Sequence, residues 1–152
     1  MRNVFLLTIG KLKSKPLKTI EEDYFKRITN FNLEIVELKS DLNKNLEGKE
    51  ALKKIQEIDP ITRPFVILLT EHGKTQDSLS FAKWWGDTLE NRREKIILII
   101  AGANGPSDEL VAKAHYKLSL SPMTFAHQLA RIILIEQLDR AQSILQKHPY
   151  HK

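Results

Sequence analysis

The chain has 152 residues, no cysteine, and 24 Lys and Arg against 19 Asp and Glu, for a net charge of +5. A chain of that length suits one domain, expected here over residues 1–152, and buries enough surface to fold without a disulfide or metal staple. The lack of cysteine excludes a disulfide scaffold, a Cys-based zinc site, an iron–sulfur cluster and a thiol nucleophile, and it fits a reducing, cytoplasmic location. The hydrophobic share of 41% and the charged share of 28% are those of an ordinary folded domain. The basic excess is spread over both halves rather than gathered into an arm, so it permits an RNA partner without requiring one. No stretch approaches the ~18 apolar residues of a membrane span. Lys11, Lys13 and Lys15 follow the first apolar run too soon for a signal peptide.

In chain order, Val4 to Ile9 is a short apolar run closed by Gly10, the pattern of a strand buried on both faces. Pro16 opens a helix whose apolar stripe is Leu17, Ile20, Tyr24 and Ile28. Leu33 to Leu38 alternates apolar residues with acids, as a half-exposed strand does. Leu46 to Ile58 carries Ala51, Leu52, Ile55 and Ile58 at helical spacing and stops at Asp59-Pro60. Phe65 to Leu69 is another buried strand, and Asp77 or Ser78 caps a helix with Leu79, Ala82, Trp85 and Leu89 on its apolar face. Ile96 to Ile100 is a pure run of Ile and Leu. A short helix over Asp108 to Ala114 and a strand over Tyr116 to Leu120 precede a long helix from Thr124 to about Gln146, with Thr124 as its cap. Strand and helix alternate throughout, which predicts an α/β fold with a mostly parallel sheet flanked by helices.

Open parallel sheets bind ligands at the carboxyl ends of their strands. Three such ends are unusual here: Leu69 to Lys74, Ala101 to Pro106 and Ser119 to Thr124. The second has glycines that let a ligand approach the backbone, although Asn104-Gly105-Pro106 is also ordinary turn chemistry. It matches neither the dinucleotide fingerprint nor the P-loop. On the last helix, His127 and Arg131 share one face and Glu136 and Arg140 another, about 180° away. Both pairs read either as solvated ion pairs or as signs of a helix buried on several sides, as at a dimer interface. Glu71 and Glu136 are the candidate acids for proton transfer, without an evident partner in sequence. His72, His115, His127, His148 and His151 have no metal-ligand spacing, so no metal is expected.

Taken together, the following blocks resemble one family. They are Gly10 to Lys13, Tyr24 to Arg27, Leu69 to Lys74, Ile99 to Gly105, Ser119 to Arg131, Leu134 to Leu138, Arg140-Ala141 and Pro149 to Lys152. The chain resembles the small ribosomal RNA methyltransferases of the SPOUT superfamily, in particular the large-subunit pseudouridine N3-methyltransferase H family. The resemblance covers nearly the whole chain and is most specific in Ser119 to Arg131 and in the tail. It implies a SPOUT-type α/β knot, in which the C-terminal segment threads a trefoil knot. It also implies S-adenosylmethionine held by Leu69, Ala101, Gly102, Leu120, Ser121, Pro122, Met123, Thr124 and Phe125. The implied reaction is methylation of N3 of a pseudouridine in 23S ribosomal RNA, in the assembled ribosome, by a homodimer. Tyr150 and His151 of one subunit would complete the other's pocket, with Arg131 and Arg140 binding phosphate or orienting that tail. Ala101 stands where the family has a glycine, Ala126 where a proline is common and Asp139 where a tyrosine is usual. The competing readings are a SPOUT methyltransferase acting on another RNA, such as tRNA, and a non-catalytic ribosome-binding factor.

Overall fold

The computed structural model describes residues 1–147. Its elements run β1 (Asn3–Ile9), α1 (Lys15–Arg27), β2 (Asn32–Leu38), α2 (Lys44–Ile58), β3 (Phe65–Thr75), α3 (Ser78–Asn91), β4 (Ile96–Ile100), α4 (Asp108–Lys113), β5 (Tyr116–Ser119) and α5 (His127–Leu145). The strands form one sheet in the order β2-β1-β4-β3-β5, and every pairing is parallel. β4 lies between β1 and β3, with Leu98 opposite Leu6 on one side and Ile67 on the other. All five of its residues are buried, which is why its sequence shows no polar alternation.

The pleat sends alternate side chains of β4 into two separate cores. Ile96, Leu98 and Ile100 face a core that contains Ile28 beside α1, Phe81, Ala82 and Trp85 of α3, and Leu134, Ile135 and Leu138 of α5. Ile97 and Ile99 face a smaller core with Ala51 and Ile55 of α2 and Leu110 of α4. Side-chain caps start the helices on that side and on α3: Asn43 Oδ1 accepts from Asn45 N at 2.8 Å, Ser107 Oγ from Leu110 N at 3.2 Å, and Asp77 Oδ1 from Ser80 N at 2.7 Å.

Four expectations change. Leu79, expected on the apolar face of α3, is 59% exposed, because it sits in the helix's first turn at the rim of the core. The buried stripe of α1 runs through Glu21 rather than Ile20, which is 41% exposed, because Glu21 has a cationic partner inside the fold. α5 begins at His127 and has Ala126 at its cap position with no side-chain cap bond. Thr124 lies too far upstream to cap the first turn, since a capping oxygen must come from the residue next to the helix. β3 runs on to Thr75, well past the apolar run that announces it. Leu69 and Lys74 both stand opposite Leu118, so residues 70–73 bulge out of the ladder. Gly73 makes that possible, because a Cβ there would lie 2.7 Å from the Lys117 carbonyl carbon and oxygen.

Candidate functional site

The bulge after Leu69, the loop after β4 and the segment joining β5 to α5 meet at the carboxyl edge of the sheet. They enclose a cleft of about 940 Å³. Of the residues expected there, Leu69, Ala101, Gly102, Leu120, Ser121, Met123, Thr124 and Phe125 line it. Pro122 belongs to the same segment but is exposed and stands outside the wall. The fold thus gathers residues spread over 57 positions of chain into one wall, as carboxyl-end loops of a parallel sheet do. The loop after β4 is also the turn that its Asn-Gly-Pro sequence announces, with Gly105 N donating to the Gly102 carbonyl at 3.0 Å. Ser119 Oγ donates to the Ser121 carbonyl at 2.9 Å, and Ser121 Oγ accepts from Met123 N at 3.1 Å. This local bonding shapes the third loop and leaves Met123, 72% exposed, at the cleft.

The cleft also takes in Thr70, Glu71, His72, Asn104, Lys117 and His127. Of the two candidate acids, Glu71 is therefore at the cleft, with its Oε1 3.7 Å from His72 Nε2. Glu136 is not. Its carboxylate accepts from Arg140 Nε at 2.7 Å and from Gln137 Nε2 at 2.9 Å, and Arg140 Nη2 lies 2.6 Å from its Oε1. Gln137 in turn accepts from Ser78 Oγ at 2.9 Å, which ties this group to α3.

Arg131 pairs with neither His127 nor solvent. Its guanidinium is 7% exposed and donates to both oxygens of Glu21, from Nε at 2.5 Å and from Nη2 at 2.8 Å. Nη1 donates to Glu37 Oε2 at 2.6 Å and to Thr8 Oγ1 at 3.4 Å. Burial opposes the charge on Arg131, but the bonds to Glu21 and then Glu37 outweigh it and push its pKa up. Burial also works against the Glu37 carboxylate, and the bonds from Leu12 N–H and Arg131 overcome it and hold its pKa below the usual range. The network joins the first turns of α5 to β1, α1 and β2, so it supports the segment that forms the third wall of the cleft. Arg131 and Arg140 both lie outside the cleft lining. Tyr150 and His151 lie outside the described residues. Sequence reasoning missed Glu21 and Lys117. Glu21 alone left a local signal, since it falls on the helical stripe one position after Ile20.

Among the described residues no group of three His, Cys, Asp or Glu side chains comes together that is able to hold a metal ion. No helix among them is long and apolar enough to cross a membrane.

Comparison with known proteins agrees with this architecture. The family described as "Predicted SPOUT methyltransferase" matches residues 2–151. The chain belongs to the SPOUT methyltransferase family. It is 37% identical to the ribosomal RNA large subunit methyltransferase H of Flavobacterium psychrophilum, over 98% of both chains. It is also 37% identical to the protein of that name from Clostridium novyi, over 99% of both. Two solved structures share its fold at low identity. A probable methylase family protein from Haemophilus influenzae matches with a TM-score of 0.60 and 15% identity, over 99% of this chain and 71% of that one. The SpoU methyltransferase AviRb of Streptomyces viridochromogenes, solved with the cofactor AdoMet, matches with a TM-score of 0.52 and 12% identity. This chain spans 57% of its length, and 91% of this chain is covered.

Proposed function

We propose that this protein is an S-adenosylmethionine-dependent methyltransferase that methylates N3 of a pseudouridine in the 23S RNA of the large ribosomal subunit. The observation that carries the reading is the convergence of the three loops on one cleft at the carboxyl edge of the sheet. The residues there fit the cofactor. Leu69, Ala101, Leu120 and Phe125 offer apolar surface, and the loop backbones offer amide and carbonyl groups for an adenine edge and a carboxylate. Ala101, next after β4, does not have a positive φ, so the conformation there accepts a methyl group where the family has a glycine. When bound, the cofactor supplies an electrophilic methyl group on a sulfonium.

The chain's own part is to orient and to exclude water. Met123 and Phe125 border the place of the donor, and the target nitrogen must be held in line with the S–CH₃ bond while N3 loses its proton. In this reading the molecule works as a cytoplasmic homodimer on the assembled ribosome, and Tyr150 and His151 of one subunit complete the other's cleft. Tyr150 stacks on the base, and His151 positions it or takes the N3 proton. Arg140 orients that tail or meets phosphate. Arg131, committed to Glu21 and Glu37, enters as support for the Leu120 to Phe125 segment. The trefoil knot belongs to the same reading, with the three cleft loops as the loops that form it.

The test is methylation of purified ribosomes and free subunits with labelled donor, followed by location of the label. Label at N3 of one pseudouridine of 23S RNA supports the reading. Label confined to tRNA would favour a different RNA substrate, and failure to bind S-adenosylmethionine at millimolar concentration would favour a non-catalytic ribosome-binding factor. Removal of residues 149–152 should abolish methylation while leaving cofactor affinity largely intact. Full activity of that truncation would overturn the role of the tail.

A further inference from the structure

Glu47 is a buried carboxylate that nothing in the proposed mechanism uses. It lies in the first turns of α2 and is 3% exposed. Oε2 accepts from Asp41 N at 2.9 Å. Oε1 has no hydrogen-bond partner among the described residues, and no Lys, Arg or His among them pairs with the group. A buried carboxylate with an empty acceptor is costly unless something offsets its charge. Its neighbour is the cleft. The place a Cβ would occupy on Gly102 lies 3.1 Å from Glu47 Oε2 and 3.3 Å from Oε1, so the carboxylate sits directly behind a residue that lines the cleft.

The backbone that carries the carboxylate is closely packed. The next residue, Gly48, packs so closely on Ser107 that a side chain there would collide with its hydroxyl. The loop ahead of α2 is fastened to the same wall, because Asn104 Nδ2 donates to the Asp41 carbonyl at 3.1 Å and to the Leu42 carbonyl at 3.2 Å. Glu47, Asp41 and Asn104 thus form a brace that holds one negative charge against the back of the glycine loop. In a low-dielectric setting such a charge acts over several ångströms. A methyl donor is a sulfonium cation, and the product left after transfer is a neutral thioether.

We propose that Glu47 is a specificity-determining residue: its charge, acting through the Gly102 backbone, makes the cleft favour the cationic sulfonium donor over the neutral thioether product. This deepens the cofactor reading of the cleft and rests on it. The charge helps donor displace product, and it offsets its own burial cost when the donor is present.

The test is calorimetric binding of S-adenosylmethionine and S-adenosylhomocysteine to the full-length protein. Wild type should prefer the donor. Glu47→Gln keeps the shape and removes the charge, and should weaken donor binding about threefold to tenfold relative to product, where tenfold corresponds to ~1.4 kcal/mol. Glu47→Met, which also removes the unpaired polar atom, carries the same comparison should the Gln variant fail to fold. Asn104→Ala loosens the brace without changing charge and should weaken both ligands alike. An unchanged donor-to-product ratio in the Glu47 variants, or equal loss of both ligands, would overturn the role of Glu47. Ala103→Trp, which sets a bulky side chain on the cleft lining, separates this from failure of the cofactor reading once displacement of a bound dye shows that the cleft is filled. If it leaves both ligands bound as in wild type, the cleft is not their site. If it blocks both while the Glu47 ratio stays fixed, only Glu47's role is lost.

Discussion

The two flanking walls of the cleft treat a buried carboxylate in opposite ways. Behind the segment that leads into α5, Glu21 is matched by Arg131 through two short bonds, and Glu37 completes the guanidinium's shell. Behind the glycine loop, Glu47 has a backbone partner for one oxygen and none for the other. The first arrangement is closed. The one cation is committed to two carboxylates of the fold, and both Glu21 oxygens are satisfied. The second is open, and its unspent charge faces a residue of the cleft. Buried charge is expensive in both places. A complete set of partners leaves Glu21 a structural group, and the incomplete set at Glu47 is what its proposed role toward the donor rests on.

Arg131→Met is the largest way to break this contrast. It strands Glu21 without its cation and should cost about 3–5 kcal/mol, the usual result of removing one member of a buried pair. Urea unfolding of the single variant and of Glu21→Met/Arg131→Met checks it, and the double variant should recover most of the loss. A double variant as unstable as the single would mean that the pair does not form a closed unit. Asn104→Ala should cost less, about 1–2 kcal/mol for its two bonds to backbone carbonyls near the surface. Glu47→Gln should have the smallest effect on stability, or raise it, since it removes a burial penalty rather than a partner. Thermal unfolding without ligand would rank the three.

The closed wall should also show in the pH profile. Glu37's pKa is lower in the fold than its ordinary 4.5, so the unfolded chain takes up that proton first. Its contribution is complete above that value and is lost as pH falls through the folded pKa. His115 adds an earlier step. Its Nδ1 accepts from Val66 N at 3.0 Å, and burial, followed by the nearby Lys113 and Arg92, depresses its pKa below 6.5. Neutral His115 stabilises the fold fully above 6.5 and progressively less as pH falls toward the folded value. Urea midpoints from pH 8 to about 3 should therefore fall in two steps, the first below 6.5 and the second below 4.5, and His115→Gln should remove the upper one. A flat profile down to pH 5 in wild type would contradict the part assigned to His115.

Much of the fold was legible in the order of residues. Ile96 to Ile100 was a strand on its composition alone, and Asp77 capped α3 where a capping residue was expected. The three strand ends with unusual loops were visible too, and all three line the cleft. The resemblance pointed to the family, and the family match over residues 2–151 agrees with it. Side-chain partnership was not legible. Arg131 reads on the helix as a neighbour of His127, and only the packing of α1 and β2 against α5 brings Glu21 and Glu37 to it.

Periodicity and capping are local, acting over a few residues, so the sequence by itself determined the alternation of strands and helices and the places where loops occur. The extension of β3 past its apolar run was decided by β5, whose backbone passes so close that residue 73 has to be glycine. The partners of Arg131 were decided by contacts across 94 to 110 positions of chain, which no local pattern encodes. Desolvation makes those contacts decisive, because once Glu21 and Glu47 are taken out of water the presence or absence of a cation beside each sets what it does.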